Sequence, residues 1–383
     1  MKRILFIHDL LNFRSGGAVL VVRNLLAAMD RSRFELELAT PRSGVSGPQE
    51  VPEEFRELGL PLHALPPFTQ TSDRSPRGVA AAAWQLLRLS VSIFFLMLRR
   101  KPDFVYVHSI TSLHFASLPA LLTGTRLVYH EHSVQSVRGS SLWVHLYPWL
   151  VARAAHIICI AQVIEDEVVE GGVESERVST VPNGIGPSVV PPRLPDPDGP
   201  PQESFHVIQI ANLLPWKGHA TVIRAAALAR DEIAGLRVSF YGRGHNSDTE
   251  RNLRALNSEL EVDDIVEFCG FSEDLEERLP EFDCLVVASD AEPFGLVLLE
   301  GMRTGVPVIG TRAGGVPEIV THESDGLLFE PDDHETLARY LVKLASDRAY
   351  ARRLAERGLE THVARFSVET QAKGVEAIFE ELG

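Results

Sequence analysis

Short apolar segments alternate with stretches of helical pattern along the whole of this 383-residue chain. Each segment is rich in Val, Ile, Leu or Phe, and a glycine, a histidine or another polar residue follows it where a helix opens. Strands that alternate with helices in this way form a parallel sheet covered by helices on both faces. The sequence therefore predicts an α/β fold. The predicted strands are 4–8, 35–40, 104–108, 127–130, 156–160, 206–211, 237–241, 266–269, 284–288 and 306–311.

A proline-rich stretch divides these strands into two equal sets. Residues 186–204 contain seven prolines in nineteen positions, too many fixed φ angles and missing N–H groups for a helix or strand. The chain is also too long for one ordinary core. We therefore predict two Rossmann-like, doubly wound domains at 1–185 and 205–364, joined by a stiff linker at 186–204 and facing a central cleft where ligands bind. A helix in 365–383 is predicted to pack back on the first domain.

Charge is distributed unevenly between the two halves. Residues 1–185 hold 18 lysines and arginines against 17 acidic residues, whereas residues 186–383 hold 19 against 35. So acidic a second half argues against nucleic acid as a partner, because binding it requires neutralisation of phosphates. The three cysteines, Cys159, Cys269 and Cys284, share no metal or redox spacing, and no secretory signal is evident. These features predict a cytoplasmic protein.

Residues 79–98 form an apolar stretch about as long as a membrane span. Gln85 and Arg88 lie near its middle, and a central arginine is costly in lipid, which argues against a true span. Residues 74–101 carry six basic residues and no acidic one. The favoured interpretation is a long helix packed on a sheet. The alternative is a helix in a membrane interface, which would place the protein at the inner face of a membrane.

Two loops have the composition of phosphate-binding sites. Helix N-termini preceded by glycine donate several N–H groups to an anion, and Ser15-Gly16-Gly17 opens a predicted helix that continues to Met29. In the second half, Lys217-Gly218 lies between a predicted strand and a helix, where an ammonium could bind a phosphate. Taken alone, the glycine pair is weak evidence and often marks only a tight turn, and Lys217 alone is better interpreted as a solvated loop lysine.

The segment 288–320 combines two glutamates with a further glycine pair. Glu292 precedes a helix predicted to begin near Pro293–Phe294, and Glu300 lies inside that apolar helix. A glutamate in such a place needs a partner or a ligand, and ribose hydroxyls suit a fixed carboxylate. A plain salt bridge is the alternative for Glu300.

Together these segments resemble the retaining nucleotide-sugar glycosyltransferases of family four, which have the GT-B architecture. The resemblance covers nearly the whole chain. It depends on the two glutamates separated by seven residues, on Gly-Gly-Val-Pro-Glu at 314–318, on Val-Pro-Asn-Gly-Ile at 181–185 and on Lys217-Gly218.

The resemblance implies roles for individual residues. His132, Glu292 and Lys217 would act at the reacting centre: the histidine beside the sugar, the glutamate on hydroxyls of the donor sugar and the lysine on the diphosphate. His130 is the competing alignment for the histidine. Glu300 would bind the ribose. The other implied donor-binding residues are Gly16, Gly17, Asn212, Gly242, Arg243, Phe294, Gly295, Leu296 and Leu298.

One position departs from the family pattern. An arginine usually stands five residues before the lysine, and here that residue is Asn212. An arginine–phosphate contact contributes about 1.5–3 kcal/mol, so donor binding could be weaker unless Arg243 replaces the contact. No metal site is expected, since the Asp-x-Asp at 196–198 lies in the proline-rich stretch.

The resemblance implies transfer of a sugar, without a metal ion or resident cofactor, from a UDP- or GDP-linked donor to a glycan or lipid-linked acceptor in surface polysaccharide or glycoconjugate synthesis. Two other function classes stay open: a non-catalytic nucleotide-sugar-binding protein, and a nucleotide-sugar epimerase or hydrolase. The motifs do not distinguish the donor sugar, the base or the acceptor.

Overall fold

The computed structural model describes residues 1–9, 17–43, 53–69, 75–133, 147–198, 203–244 and 247–383. The chain divides into two compact units. Unit 1 comprises Met1–Gly184 together with Val368–Gly383, and unit 2 comprises Ile185–Ser367. Each unit contains one parallel sheet with its own hydrophobic core. The predicted α/β class with two doubly wound domains is confirmed.

Unit 1 is built on a seven-stranded sheet of order β3-β2-β1-β4-β5-β6-β7. Its strands are β1 (Lys2–Ile7), β2 (Phe34–Ser43), β3 (Leu62–Phe68), β4 (Phe104–Val107), β5 (Arg126–Glu131), β6 (His156–Cys159) and β7 (Val178–Thr180). Its helices are α1 (Gly17–Ala28), α2 (Glu53–Arg56), α3 (Pro76–Arg100), α4 (Ile110–Thr123), α5 (Tyr147–Val151) and α6 (Gln162–Glu170). The last four residues of β1 and all of β4 are apolar and buried, the pattern of strands covered on both faces.

Unit 2 is built on a six-stranded sheet of order β10-β9-β8-β11-β12-β13. Its strands are β8 (Phe205–Ile210), β9 (Leu236–Tyr241), β10 (Val266–Gly270), β11 (Cys284–Val287), β12 (Val308–Thr311) and β13 (Leu327–Phe329). Its helices are α7 (His219–Ala229), α8 (Ser247–Glu259), α9 (Leu275–Arg278), α10 (Leu296–Thr304), α11 (Val316–Ile319), α12 (His334–Ser346) and α13 (Arg348–Arg365).

The ten predicted strands are all present, and the three that the sequence did not indicate lie at sheet edges. β3 contains two prolines, while β7 and β13 have three residues each. A prediction from apolar runs finds strands buried on both faces, and edge strands need fewer apolar residues and tolerate proline.

The last helix, α14 (Val368–Glu381), belongs to unit 1. Phe379 is completely buried there and packs against Phe34 and Phe104. Lys2 Nζ donates to the carbonyl oxygen of Phe379 at 2.6 Å. The helix therefore closes the core beside β1 and β4.

The proline-rich stretch contains no helix or strand in its described residues, 186–198 and 203–204. It is held against unit 2 rather than lying free. The guanidinium of Arg303 donates to the carbonyl oxygen of Gly186 at 3.1 Å, and the amide of Arg193 donates to the carbonyl oxygen of Thr304 at 2.9 Å. These hydrogen bonds attach the stretch to the end of α10.

Two local expectations are corrected. α10 begins at Leu296, not near Pro293–Phe294, because Gly295 has φ +103° and so cannot be the first residue of a right-handed helix. Cys269 is only partly buried, whereas Cys159 and Cys284 are buried as expected.

α3 is long and apolar enough to cross a membrane by length and composition, and only 11% of its most apolar 18-residue window is buried. Its buried side chains, Leu89, Ile93 and Met97, recur at helical spacing and form a single stripe. The favoured expectation of a helix packed on the sheet is therefore met on one face only.

Candidate active site

The loops that carry the predicted donor-binding residues of unit 2 follow adjacent strands. β8 and β11 are neighbours at the centre of the sheet, and the chain leaves them toward opposite sides. In an open parallel sheet this switch point leaves a crevice at the carboxyl ends of the strands, where ligands bind. Lys217 lies in the loop after β8, and Glu292 lies in the loop after β11.

Lys217 and Glu292 form an ion pair at this edge of the sheet. The Nζ of Lys217 donates to Oε2 of Glu292 at 2.7 Å, and the Oγ of Ser289 donates to the same oxygen at 3.2 Å. Both charged side chains are about one-fifth exposed, at 21% and 18%. The side-chain Nε2 of Gln209 donates to the carbonyl oxygen of Lys217 at 2.6 Å, which fixes the base of the loop. The pair is accessible from solvent and firmly positioned.

A glycine allows the lysine loop to approach β11. Gly218 has φ +65°, and a Cβ at this position would lie 1.8 Å from the carbonyl oxygen of Ala288. The amide of Asp290 donates to the carbonyl oxygen of Trp216 at 2.9 Å across the same contact. A side chain larger than hydrogen would therefore separate the two loops.

A second glycine brings the loop after β12 against Glu292. Gly314 has φ +57°, and a Cβ there would lie 2.1 Å from the carbonyl oxygen of Glu292. The amide of Gly315 donates to that oxygen at 2.9 Å. Gly314 and Gly315 thus hold the backbone of Glu292. The loops after the three adjacent strands β8, β11 and β12 are therefore packed together.

Glu300 lies in the second turn of α10 and is partly exposed. Desolvation raises the pKa of its carboxyl group to about 7, against the opposing effect of the Arg303 guanidinium. That guanidinium forms its ion pair with Glu276 instead, at 2.7 Å. The salt bridge considered as the alternative role for Glu300 is therefore formed by another glutamate.

The other predicted donor-binding residues of the second motif surround the start of α10. Gly295 is the N-cap and Leu296 the first helical residue, and both follow the Glu292 loop directly. The side chains of Phe294 and Leu298 are buried, with Phe294 packed edge-on against Phe366. Phe294 can therefore contact a ligand only through its backbone, as the resemblance implies.

Asn212 and Arg243 lie together at the ends of β8 and β9. The amide of Arg243 donates to Oδ1 of Asn212 at 3.1 Å, so the asparagine joins the two loops. Gly242 is required there, since a Cβ would lie 1.9 Å from the carbonyl oxygen of Ala211. The guanidinium of Arg243 stacks 4.3 Å above the ring of Phe271 and is exposed. A cation is thus present beside the position where the family arginine is absent.

In unit 1, a group of histidines occupies the carboxyl ends of three adjacent strands. His8 follows β1, His108 follows β4, His130 lies in β5 and His132 follows it. The Nδ1 of His108 lies 3.3 Å from Nε2 of His132, and the hydroxyl of Tyr106 lies 2.8 Å from Nδ1 of His130. We call these four histidines the histidine cluster.

Burial keeps the histidine cluster uncharged at neutral pH. Desolvation lowers the pKa of all four imidazoles, that of His132 to about 3, and neighbouring imidazoles lower the pKa of His108, His130 and His132 further. In the described part of the chain, Nδ1 of His8 and Nε2 of His108 and of His130 are buried without a hydrogen-bond partner. Neutral imidazoles can both donate and accept, which suits contact with sugar hydroxyls.

Within the described residues, three members of the histidine cluster are placed so that they could hold a metal ion. Ligand nitrogens of His108, His130 and His132 lie within 4.8 Å of one another. The absence of a metal site stays a prediction from the sequence.

The two candidate alignments for the reacting histidine differ in their surroundings. His130 is completely buried, whereas His132 is partly exposed. Of the two, only His132 is within partial reach of solvent, as a sugar contact requires. Of the glycine pair, Gly17 is exposed at the start of α1, and Gly16 lies outside the described residues.

His8 and His108 were not among the predicted site residues. The signal was present, since three predicted strands end at a histidine and parallel strands place their carboxyl ends at one edge. Asp9 accompanies them, and its Oδ1 accepts from the hydroxyl of Ser109 at 2.6 Å.

Two family descriptions match different parts of the chain. Residues 16–184 match the "Glycosyl transferase 4-like domain", and residues 192–361 match "Glycosyl transferases group 1". This chain is a family-four-type glycosyltransferase of GT-B architecture. The identification rests on both halves, each matched by its own description.

Among curated relatives, the chain is 33% identical to the lipopolysaccharide core biosynthesis glycosyltransferase LpsE of Rhizobium meliloti over 169 residues, which is 44% of this chain and 48% of LpsE. It is 33% identical to N-acetyl-alpha-D-glucosaminyl L-malate synthase of Bacillus anthracis over 173 residues, 45% of this chain and 44% of the relative. The alignments thus span about half the length of these two relatives.

Among solved structures, HepE of Anabaena in complex with UDP and glucose matches with a TM-score of 0.78 at 20% identity, covering 99% of this chain and all of HepE. At that identity, the similarity establishes the GT-B fold of the glycosyltransferase described here.

Proposed function

We propose that this glycosyltransferase moves a sugar, with retention of the anomeric configuration and without a metal ion or resident cofactor, from a nucleoside diphosphate sugar to a glycan or lipid-linked acceptor. The observation that carries the proposal is the Lys217–Glu292 ion pair, held at the switch point of the unit 2 sheet by Gly218 and Gly314. An ammonium and a carboxylate at one exposed point suit the two ends of a donor, its diphosphate and its sugar.

Donor binding requires the ammonium to change partners. Lys217 now donates to Glu292, so an incoming diphosphate competes with that carboxylate for the ammonium. Once Lys217 turns to the phosphates, Glu292 is free to accept from sugar hydroxyls while Ser289 still holds it in place. The exchange neutralises charge on the departing diphosphate, which is the stabilisation that this chemistry needs most.

The ribose is assigned to Glu300. Its carboxylate makes no hydrogen bond or ion pair with the residues that the structure describes, and desolvation raises the pKa of the carboxyl group to about 7. Hydroxyl donors from a ribose would supply it. His132, a neutral imidazole of unit 1, is assigned to the reacting sugar on the basis of the family resemblance.

The relatives suggest where to begin the search for substrates. LpsE is named for lipopolysaccharide core biosynthesis, and HepE was solved with UDP. We therefore propose a role in surface polysaccharide or glycoconjugate synthesis in the cytoplasm, with UDP-sugars as the first donors to test and GDP-sugars second.

A calorimetric panel of UDP, GDP and their sugar conjugates tests the donor, followed by NMR of the product formed with each donor that binds. Sugar transfer with the donor's anomeric configuration supports the proposal. An epimerised or hydrolysed donor, or binding without turnover across a panel of glycan and lipid-linked acceptors, would replace it with one of the other two function classes. Full activity with EDTA present is expected, and its loss with recovery on adding a divalent cation would contradict metal independence.

A further inference from the structure

The outer face of α3 is apolar and is not covered by any described residue. Trp84, Leu87, Val91, Phe95 and Leu98 recur along one side of the helix, and their exposed fractions range from 46% to 62%. Monomeric proteins rarely expose a continuous apolar surface of this length, and such a surface marks a site of interaction.

α4 packs beside α3 and exposes further apolar residues. Its last turns expose Leu118, Leu121 and Leu122, the last of them by 64%. The Oγ1 of Thr123 lies 3.6 Å from the sulfur of Met97, so the carboxyl-terminal ends of α3 and α4 are side by side. We call the exposed apolar residues of the two helices the α3/α4 face.

Basic residues accompany this face, and acidic ones are almost absent. Between residues 75 and 125 the sequence contains one acidic residue, Asp103, and the amide of Arg3 donates to its carboxylate at 2.8 Å. Arg77, Arg88, Arg99 and Lys101 are exposed, and none has an acidic partner in the described part of the chain. Arg100 differs, because it is engaged by Glu37 through hydrogen bonds of 2.9 Å.

The opposite side of α3 is packed on unit 1, which limits the surfaces that the helix can offer to a partner. Leu89, Ile93 and Met97 are buried in unit 1, and the side chain of Gln85 accepts from the amide of Thr69 at 2.7 Å. A helix held to a folded domain along one stripe cannot be surrounded by lipid. It can lie parallel to a membrane surface with its outer side chains among the acyl chains.

We propose that the α3/α4 face docks this glycosyltransferase on an anionic lipid bilayer. Trp84 and Phe95 enter the interfacial region, where aromatic rings are favoured, while Leu121 and Leu122 enter at the end of the patch. Arg88 lies among the apolar residues and extends its guanidinium to the phosphates, as long basic side chains do at membrane interfaces. Arg99 and Lys101 provide the electrostatic attraction.

This docking goes beyond the proposed sugar transfer, since it involves neither Lys217 nor Glu292. It explains how a lipid-linked acceptor would meet the protein: both would be confined to one surface. A soluble acceptor would need no such face.

Flotation of the full-length protein with vesicles tests the proposal. Vesicles of equal parts phosphatidylglycerol and phosphatidylcholine are expected to bind the protein at low salt, and phosphatidylcholine alone to bind it far less. Replacing Trp84, Phe95 and Leu122 together by Gln is expected to lower binding by more than about tenfold. Replacing Arg88, Arg99 and Lys101 by Gln is expected to reduce binding similarly and to remove its dependence on salt.

Matched controls come from unit 2. Leu228 and Val363 are also exposed, by 52% and 67%, and their replacement by Gln is expected to leave vesicle binding unchanged. All of these side chains lie on the surface, so thermal unfolding should show that every variant is folded.

Quenching by brominated acyl chains identifies the face directly. The fluorescence of the parent protein is expected to fall on binding, and Trp84→Phe to lose most of that quenching. Quenching that persists in Trp84→Phe would overturn the proposal, as would the absence of binding to anionic vesicles at low salt. A concentration-dependent dimer that the Trp84, Phe95 and Leu122 substitutions abolish, without vesicle binding, would instead assign the face to a second copy of this chain.

Discussion

The Nζ of Lys217 lies 2.7 Å from Oε2 of Glu292, although 75 positions separate the two residues in the sequence. Parallel topology produces this proximity, because β8 and β11 are adjacent and both loops leave from the same edge. The two residues are therefore expected to be coupled in donor binding.

Lys217→Met is expected to weaken binding of the nucleoside diphosphate by about 10- to 100-fold, the effect of removing a charged hydrogen bond to phosphate. Glu292→Gln should have the opposite effect on the free diphosphate, since it removes the competitor for the ammonium. It should nevertheless weaken binding of the sugar conjugate. Calorimetry with both ligands distinguishes the two changes.

Lys373, an exposed lysine of α14, provides the matched control: Lys373→Met should bind both ligands as the parent does. Equal weakening of nucleotide and conjugate by Glu292→Gln would show that the carboxylate orders the loop and does not contact the sugar.

Nucleotide affinity is expected to depend on the ionisation of Glu300. Its carboxyl pKa is about 7, and ribose hydroxyls that donate to it favour the charged form. Binding should therefore release a proton, and the contribution of Glu300 to affinity should fall about tenfold between pH 8 and pH 6.

Glu300→Gln should bind more weakly at pH 8 and lose this part of the pH dependence. The nucleotide's own phosphates titrate identically in both proteins, so the difference between the two calorimetric profiles isolates Glu300. Glu335→Gln, an exposed substitution in α12, should reproduce the parent profile. Parallel profiles for parent and Glu300→Gln would remove the ribose assignment.

Thermal unfolding gives an independent measure of the same carboxyl group. Its pKa is higher in the folded protein than in the unfolded chain, so its contribution to stability is lost as the pH rises from about 4.5 through 7. Glu300→Gln should thus be more stable than the parent at pH 8, by roughly 1–3 kcal/mol, and not at pH 4.

His132→Ala is expected to reduce turnover far more than nucleotide affinity, because His132 belongs to unit 1 whereas Lys217, Glu292 and Glu300 belong to unit 2. His130→Ala should mainly lower stability, by about 1–3 kcal/mol, since it leaves the buried hydroxyl of Tyr106 without its partner. Initial rates and thermal melts of both variants check this. Loss of turnover in a fully stable His130→Ala, with His132→Ala active, would move the assignment to His130.

Gly218→Ala is expected to displace the lysine loop. The left-handed backbone alone costs about 1–2 kcal/mol, and the close approach to Ala288 adds about 1–3 kcal/mol. Gly270 provides the control: it has φ +72° and open space around its Cβ position, so Gly270→Ala should show only the first cost. Denaturant unfolding measures both, and equal losses would show that the loop yields without strain.

The sequence was sufficient to predict the strands in the interior of each sheet and to assign each motif to a loop. Runs such as Ile4–Ile7 and Cys284–Val287 are apolar throughout because both faces are buried, so a composition-based prediction finds them. β7 and β13 were not found, since three residues at a sheet edge carry too little apolar pattern.

The sequence predicted which loops carry the site residues, but not which of those residues contact one another. That Glu292 follows a strand could be read from the sequence, but its pairing with Lys217 depends on which strands are neighbours. His8 and His108 were missed for the same reason, because their place beside His130 and His132 depends on which strands are neighbours. The start of α10 depended on the backbone angle of Gly295, which the residue type permits without requiring.

Unit 1 includes α14, which follows unit 2 in the chain, and Phe379 fills its core beside Phe34 and Phe104. During synthesis the first 184 residues therefore emerge without the helix that seals their sheet. Unit 2, whose strands and helices are contiguous, can complete its fold first. Until residues 368–381 arrive, the apolar side of β1 and β4 stays open to water, and a fragment ending before them would be prone to aggregate.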